Sequence, residues 1–190
     1  MPEHPSPLSP RSETARIAVV RTAVDARVPA EPVEAEDRDA ILDALGAIDS
    51  ISAPGTHVTA SGVTTSERGV LLLRHRNLDR WMPPGGHVDP GELPFESAVR
   101  ETLEETGIAA AHPDGRPVLV HVAVFNSAAG HTHLDLRYLL TAGPHDPAPP
   151  PDESPEVAWY PWDDALAMVD DRVGNALRSA RAHLQPARVP

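Results

Sequence analysis

The chain has 190 residues, with 16 basic and 28 acidic side chains and a formal net charge of −12. That length suits one domain with appendages, and the acidic balance argues against a protein that grips long nucleic acid through its phosphates. There is no cysteine, which excludes disulfides, thiolate catalysis and Cys-ligated zinc, and no apolar run of about 18 residues that would span a membrane.

Residues 1–15 are polar and proline-rich and lack the apolar core of a signal peptide, so they are expected to form a disordered tail on a cytoplasmic protein. Residues 16–53 form an N-terminal extension. Within it, Arg16 to Val28 is a mixed apolar segment with no assignable pattern. Between Glu34 and Ser50, Ile41, Leu42, Leu45 and Ile48 recur at helical spacing behind an acidic first turn, which predicts an amphipathic helix. It packs on the main domain, mediates a homodimer or belongs to a partner-binding module. Thr56 to Thr65 alternates Thr, Val and His, and Val70 to Leu73 is a short apolar run after the turn at Ser66 to Gly69. The two read as paired strands. Arg74, His75, Arg76 and Arg80 then cluster ahead of Trp81, a core anchor. They form either a solvated loop or a set of cations placed to meet substrate phosphates.

The densest pattern runs from Gly85 to Ile108. Gly85, Gly86 and Gly91, set among Pro83, Pro84 and Pro90, predict a tight turn that lets a ligand approach the backbone. His87, directly after two of these glycines, is a structural or exposed residue or a substrate contact. In the helix that follows, Glu101, Glu104 and Glu105 fall within an arc of about 100°. Phe95, Val99 and Leu103 lie opposite and are expected to be buried while the acids face outward. Gly107 is a natural stop. Like charges at this spacing weaken a helix, so something compensates them. Arg100 does so as a surface ion-pair partner of Glu96 and Glu104, or a divalent cation does so by taking the hard oxygen ligands.

The span matches G-x5-E-x7-R-E-U-x-E-E-x-G-U, with U apolar, and so resembles the Nudix box of the Nudix (MutT-like) hydrolases. Gly86, Glu92, Arg100, Glu101, Glu104, Glu105, Gly107 and Ile108 are in register, and Thr102 alone departs, at an apolar position. The resemblance implies an α/β fold with a mixed β-sheet sandwiched between α-helices, over residues 54–170, with Mg2+ or Mn2+ as cofactor. It implies that Glu101, Glu104 and Glu105 hold the metal and one of them takes a proton from water. Gly85 then offers its carbonyl as a further ligand, and Glu92 and Arg100 hold the turn and helix in position. The implied reaction is hydrolysis of a phosphoanhydride in a nucleoside diphosphate linked to another moiety, a small-molecule substrate. A non-catalytic ligand sensor of the same fold would be expected to lose box carboxylates, which are all present here. A 5′-end RNA pyrophosphohydrolase sits less well with the acidic charge, and isopentenyl diphosphate isomerase depends on a cysteine that this chain lacks. No subgroup marker for the substrate follows Ile108.

Beyond the box, Pro117 to Ser127 and Thr132 to Thr141 read as strands. In the second, His131, His133, Asp135 and Arg137 share one face and Leu134, Leu136 and Tyr138 the other. The polar face ligates a metal, lines a substrate cleft or faces water. The proline-rich loop Gly143 to Pro155 ends in acids before the strand at Trp159 and Tyr160. A loop at this place in Nudix enzymes donates an extra carboxylate, for which Glu153 is the candidate and Glu156 the next; an acidic surface loop is the plainer reading. Asp163 is expected to cap a helix carrying Ala165, Leu166, Met168 and Val169. Val173, Leu177, Ala180 and Leu184 continue in a C-terminal helix over 171–190, whose end from Pro186 to Pro190 frays.

Overall fold

The computed structural model describes residues 12–127 and 130–185. The expected tail up to residue 11 and the end from Pro186 to Pro190 lie outside them.

Everything is hung on β1 (Thr56–Ser66). One edge pairs in parallel with β7 (Thr132–Ala142), from Thr56 opposite Thr132 to Thr65 opposite Thr141. The other edge meets two antiparallel strands in succession. The first is β4 (Gly85–His87), against Thr59 to Ser61, and the second is β2 (Gly69–His75), against Thr65 and Ser66. The expected glycine turn therefore contains a strand, which its Gly-Gly start concealed. β2 extends the sheet to β3 (Arg80–Met82) and β8 (Val157–Tyr160), while β7 adds β5 (Ala110–Ala111) and β6 (Leu119–Asn126).

Because strand side chains alternate, the sheet has two distinct faces. Val58, Ala60, Leu134, Leu136, Tyr138 and Leu140 are buried beneath α1 (Glu13–Asp25), α2 (Pro32–Ala44) and α3 (Pro94–Thr106). Val63 and Leu139 point the other way, into a core shared with α4 (Trp162–Met168) and α5 (Asp171–Leu184). The mixed sheet is thus held between helices, as the resemblance implied.

Two boundaries differ from expectation. Helix α1 starts inside the anticipated tail, because the Ser12 hydroxyl accepts the Ala15 N–H and caps it. Its pattern was unreadable because one of three core-facing positions, Arg16, Val20 and Val24, is an arginine. At the other end, α4 begins after Pro161, and Asp163 lies in its first turn instead of capping it. Helix α5 is capped by Asp170, whose carboxylate accepts the Val173 N–H, and buries Val173, Ala176, Leu177 and Ala180, whereas Leu184 is exposed. No helix among the described residues is long and apolar enough to cross a membrane.

Candidate active site

The backbone of β4 explains why the acids of α3 gather where they do. Gly62 donates its N–H to the Pro84 carbonyl at 2.8 Å, which fixes the alternation of the antiparallel ladder. Gly85 and His87 are then the non-bonded partners of Ser61 and Thr59, and their N–H and C=O groups point away from β1. Helix α3 lies on that side. The Glu105 carboxylate accepts the Gly85 N–H at 2.8 Å, while Ser97 and Arg100 donate to the His87 carbonyl at 3.1 and 2.9 Å. The Gly85 carbonyl faces the same side. At Gly86 a Cβ would sit 2.5 Å from Glu101 Oε1, so the carboxylate occupies the space a side chain would need.

Two expectations about α3 are corrected. Only Glu104 faces outward; Glu101 and Glu105 are turned in against β4. The buried stripe runs through Ala98, Thr102 and Thr106, with Phe95 and Val99 packed beside it, whereas Leu103 is 50% exposed. The helix is rolled so that its core line falls between the apolar and acidic arcs. Thr102, the position that departs from the pattern, sits in the core and is satisfied locally, its hydroxyl donating to the Ala98 carbonyl at 2.7 Å. Gly107 ends the helix as expected, with φ of 70° and its N–H on the Leu103 carbonyl at 2.8 Å.

Arg100 is far more than an i,i+4 partner. It donates to Glu92 at 2.9 and 3.0 Å, Glu101 at 2.9 Å, Glu104 at 2.8 Å and the Ser97 hydroxyl at 3.0 Å. One guanidinium thereby ties the turn at Glu92 to two of the three helix carboxylates and to β4. Glu105 is left with the single Gly85 donor among the hydrogen bonds of the described residues. Burial, reinforced by the charges of Glu101, Glu153 and Glu104, pushes its carboxyl up to about 7 against the Gly85 hydrogen bond. Burial also raises Glu101, against the pull of Arg100. The result is a recessed, under-neutralised set of hard oxygens, the donor chemistry that suits Mg2+ or Mn2+.

Glu153 is close enough to Glu105 to act on its charge. Its loop is stitched along β2: Arg76 donates to the Glu153 and Pro151 carbonyls, Arg74 pairs with Glu156 at 3.2 Å and Asp79 at 2.6 Å, and Ser154 donates to the Arg74 carbonyl at 2.7 Å. Arg80 lies apart, 3.1 Å from the α5 cap Asp170.

The polar face of β7 divides. Asp135 is buried and committed, accepting from Thr59 at 3.2 Å, Ser61 at 2.9 Å and Arg137 at 2.8 Å. It neither faces water nor joins the histidines as a ligand. His133 gathers instead with His57 and His87. Burial lowers the His57 and His133 imidazoles below the usual histidine value. Sequence reasoning missed Thr59, Ser61 and His57, whose signal was a polar alternation along a strand buried on both faces. It also missed Arg16, which is buried and donates to the Glu92 and Asp89 carbonyls at 2.9 and 3.0 Å.

Comparison with known proteins agrees with this geometry. The family model of the NUDIX domain matches residues 55–180. The chain is 46% identical over 55 residues to the asymmetrical bis(5'-nucleosyl)-tetraphosphatase of Rattus norvegicus, covering 29% of this chain and 37% of that protein. A protein described as a probable DHNTP pyrophosphohydrolase from Lactococcus lactis is 30% identical over 122 residues, covering 58% of this chain and 73% of its own. The chain spans only about a third of the length of several curated relatives, between 28% and 37% for four of them. Among solved structures, a Caenorhabditis elegans Ap4A hydrolase binary complex superposes with a TM-score of 0.57 at 26% identity, covering 67% of this chain and 96% of that one. A NUDIX family hydrolase from Clostridium perfringens does so with 0.55 at 27%, covering 66% and 94%. With more than half its length matched by the family model and its carboxylates gathered on the Gly85 to His87 strand, this chain belongs to the NUDIX family.

Proposed function

We propose that the protein is a cytoplasmic, metal-dependent hydrolase that cleaves a phosphoanhydride bond in a nucleoside diphosphate linked to another moiety. The observation that carries this reading is Glu105: a carboxylate withdrawn from water, met by one N–H and surrounded by other acids. Such a group is held at a cost in stability, and the cost makes sense when a cation and a proton are to be handled there.

Glu101, Glu104 and Glu105, with the Gly85 carbonyl and Glu153, are the groups that would hold Mg2+ or Mn2+. When bound there, the ion supplies neutralisation of phosphate charge and acidification of water. The protein's own residues do the rest. Arg100 and Glu92 lock α3 to the turn, so the carboxylates are oriented before substrate arrives. Glu105, the helix carboxylate with the fewest donors, is the one we assign to accept a proton from attacking water. Arg74, Arg76, Arg80 and His87 are the candidate contacts for the remaining phosphates and the linked group. Arg74 and Arg76 already brace the loop that carries Glu153, so a substrate phosphate meeting them would also sense that carboxylate.

The relatives named for tetraphosphatase and DHNTP pyrophosphohydrolase activities support the nucleotide class and span too many leaving groups to choose among them. The deciding experiment incubates the protein with Mg2+ or Mn2+ and dNTPs, oxidised dNTPs, dinucleoside polyphosphates, ADP-ribose, NADH, CoA and nucleotide sugars, with products identified by mass spectrometry. Turnover of at least one, lost in Glu105→Gln, is the expected result. Cleavage of none of them overturns the proposal.

A further inference from the structure

Beside the carboxylate centre, on the opposite flank of β4, stands a group of side chains with different chemistry. His57 from β1, His87 from β4 and His133 from β7 each present a ring nitrogen, and these nitrogens lie within 4.8 Å of one another. Ring centroids are 4.8 Å apart for His57 and His87, 4.7 Å for His57 and His133, and 5.5 Å for His87 and His133. The three strands place them there by register: Thr59 pairs with His87 and with Asp135, and His57 pairs with His133, so the three alternate onto one face.

One of these rings calls for a partner. His57 is 6% exposed, and its Nε2 is buried with no hydrogen-bond partner. A buried imidazole nitrogen left bare costs free energy, and no carboxylate among the described residues reaches it. A cavity of about 270 Å3, bordered by His57, His87 and His131, opens on the same spot and leaves room for a further ligand. His131 stands at its rim, 5.6 Å from His57 between ring centroids.

The geometry points to a second metal site, formed by His57, His87 and His133, that takes a late first-row divalent ion such as Zn2+ and keeps an open position toward the cavity. Three neutral imidazoles suit Zn2+, Co2+, Ni2+ or Cu2+ and suit Mg2+ poorly, so the site selects a different metal from the carboxylates of α3. Ligand nitrogens around tetrahedral Zn2+ stand about 3.3 Å apart, given bonds of about 2.0 Å. Closing from 4.8 Å asks for small ring movements, which the exposed position of His87 permits. A second candidate, Glu31, Glu34 and His121, lacks this character. The Glu34 oxygens are already taken by Arg27, Ala30 and Val122, and Arg137, Arg27 and Arg172 act on His121 as like charges.

The test is Zn2+ titration by calorimetry of the chelator-stripped full chain in excess Mg2+, with Co2+ substitution read by visible absorption. One equivalent of Zn2+ is expected, with intense Co2+ bands of low coordination number. His133→Ala and His87→Ala should each weaken Zn2+ by at least about tenfold, the loss that follows even removal of an outer-sphere partner. Circular dichroism melts establish that both variants remain folded. In Glu101→Gln/Glu105→Gln, Zn2+ binding should persist, which separates this site from the proposed hydrolytic one. Absence of stoichiometric Zn2+ binding overturns the inference, as does binding lost in the glutamate variant and kept in folded His133→Ala.

Discussion

Glu34 and Glu105 are both carboxylates withdrawn from solvent, on helices packed against the same sheet, and they are satisfied in opposite ways. Glu34 is fully buried and meets Arg27 at 2.7 and 3.1 Å, the Ala30 N–H at 2.6 Å and the Val122 N–H at 3.3 Å. Glu105 has one N–H at 2.8 Å and three acids around it. The first is the arrangement of a structural joint, linking the N-terminal extension to β6. The second is poor architecture and good chemistry, since an under-paired carboxylate is available to a cation or a proton. Burial alone therefore does not distinguish structural from functional acids; the count of donors does.

The largest expected effect comes from breaking the functional member. Glu105→Gln should lower turnover of whichever nucleotide is cleaved by about 10^2 to 10^4-fold, the range for loss of a positioned proton acceptor. Thermal melting of the metal-free variant should show no loss of stability, because the amide removes a poorly neutralised charge. Breaking the structural member should do the reverse. Glu34→Ala strands Arg27 and two N–H groups, and about 3–5 kcal/mol of stability should be lost in urea unfolding.

The comparison sharpens further along the pH axis. The Glu105 carboxyl stands at about 7 in the folded chain against 4.5 as its ordinary value. Between those values the folded state holds a proton that the unfolded state has released, so stability falls as pH rises through this window. The metal-free protein should lose up to about 3 kcal/mol between the two limits, and Glu101, raised for the same reason, adds to the same slope. Denaturant midpoints of the metal-free protein across about pH 3.5 to about pH 8, one unit beyond each limit, check this. The slope should flatten in Glu105→Gln and when saturating Mg2+ is present, since metal binding displaces the proton.

How much of this was legible in the amino-acid order varies with the range of the interaction. The box residues and the strands β1, β2, β6, β7 and β8 follow from local periodicity and spacing, whereas the two- and three-residue strands β3, β4 and β5 are too short to show a pattern; the structure brings Glu101, Glu104, Glu105, Gly85, Glu92 and Arg100 together. The roll of α3 was not legible, because it depends on Gly86 lacking a side chain that would hold Glu101 away. Nor was the histidine group, whose members are separated by 30 and 46 residues in sequence (His57 to His87, His87 to His133) and meet only through strand register. Helix α1 was hidden because a buried arginine interrupts its apolar stripe.

That arginine supplies the smallest effect and the most specific one. Arg16 is 2% exposed and sends its guanidinium to the Asp89 and Glu92 carbonyls, in the turn that leads into α3. Glu13 neutralises it from the preceding helical turn. The N-terminal helix thus holds the back of the same turn whose front is held by Arg100 through the Glu92 side chain. Replacing it with alanine leaves two carbonyls short of donors and should cost about 2 kcal/mol in urea unfolding. If the turn is held from both sides, Arg16→Ala should also lower kcat of the proposed hydrolysis while leaving KM nearly unchanged. No candidate substrate contact is touched, and the carboxylates alone lose their orientation. A variant that loses stability with kcat intact would show that Arg100 suffices to hold the turn, making the N-terminal helix a stabiliser of the fold without a part in positioning the site.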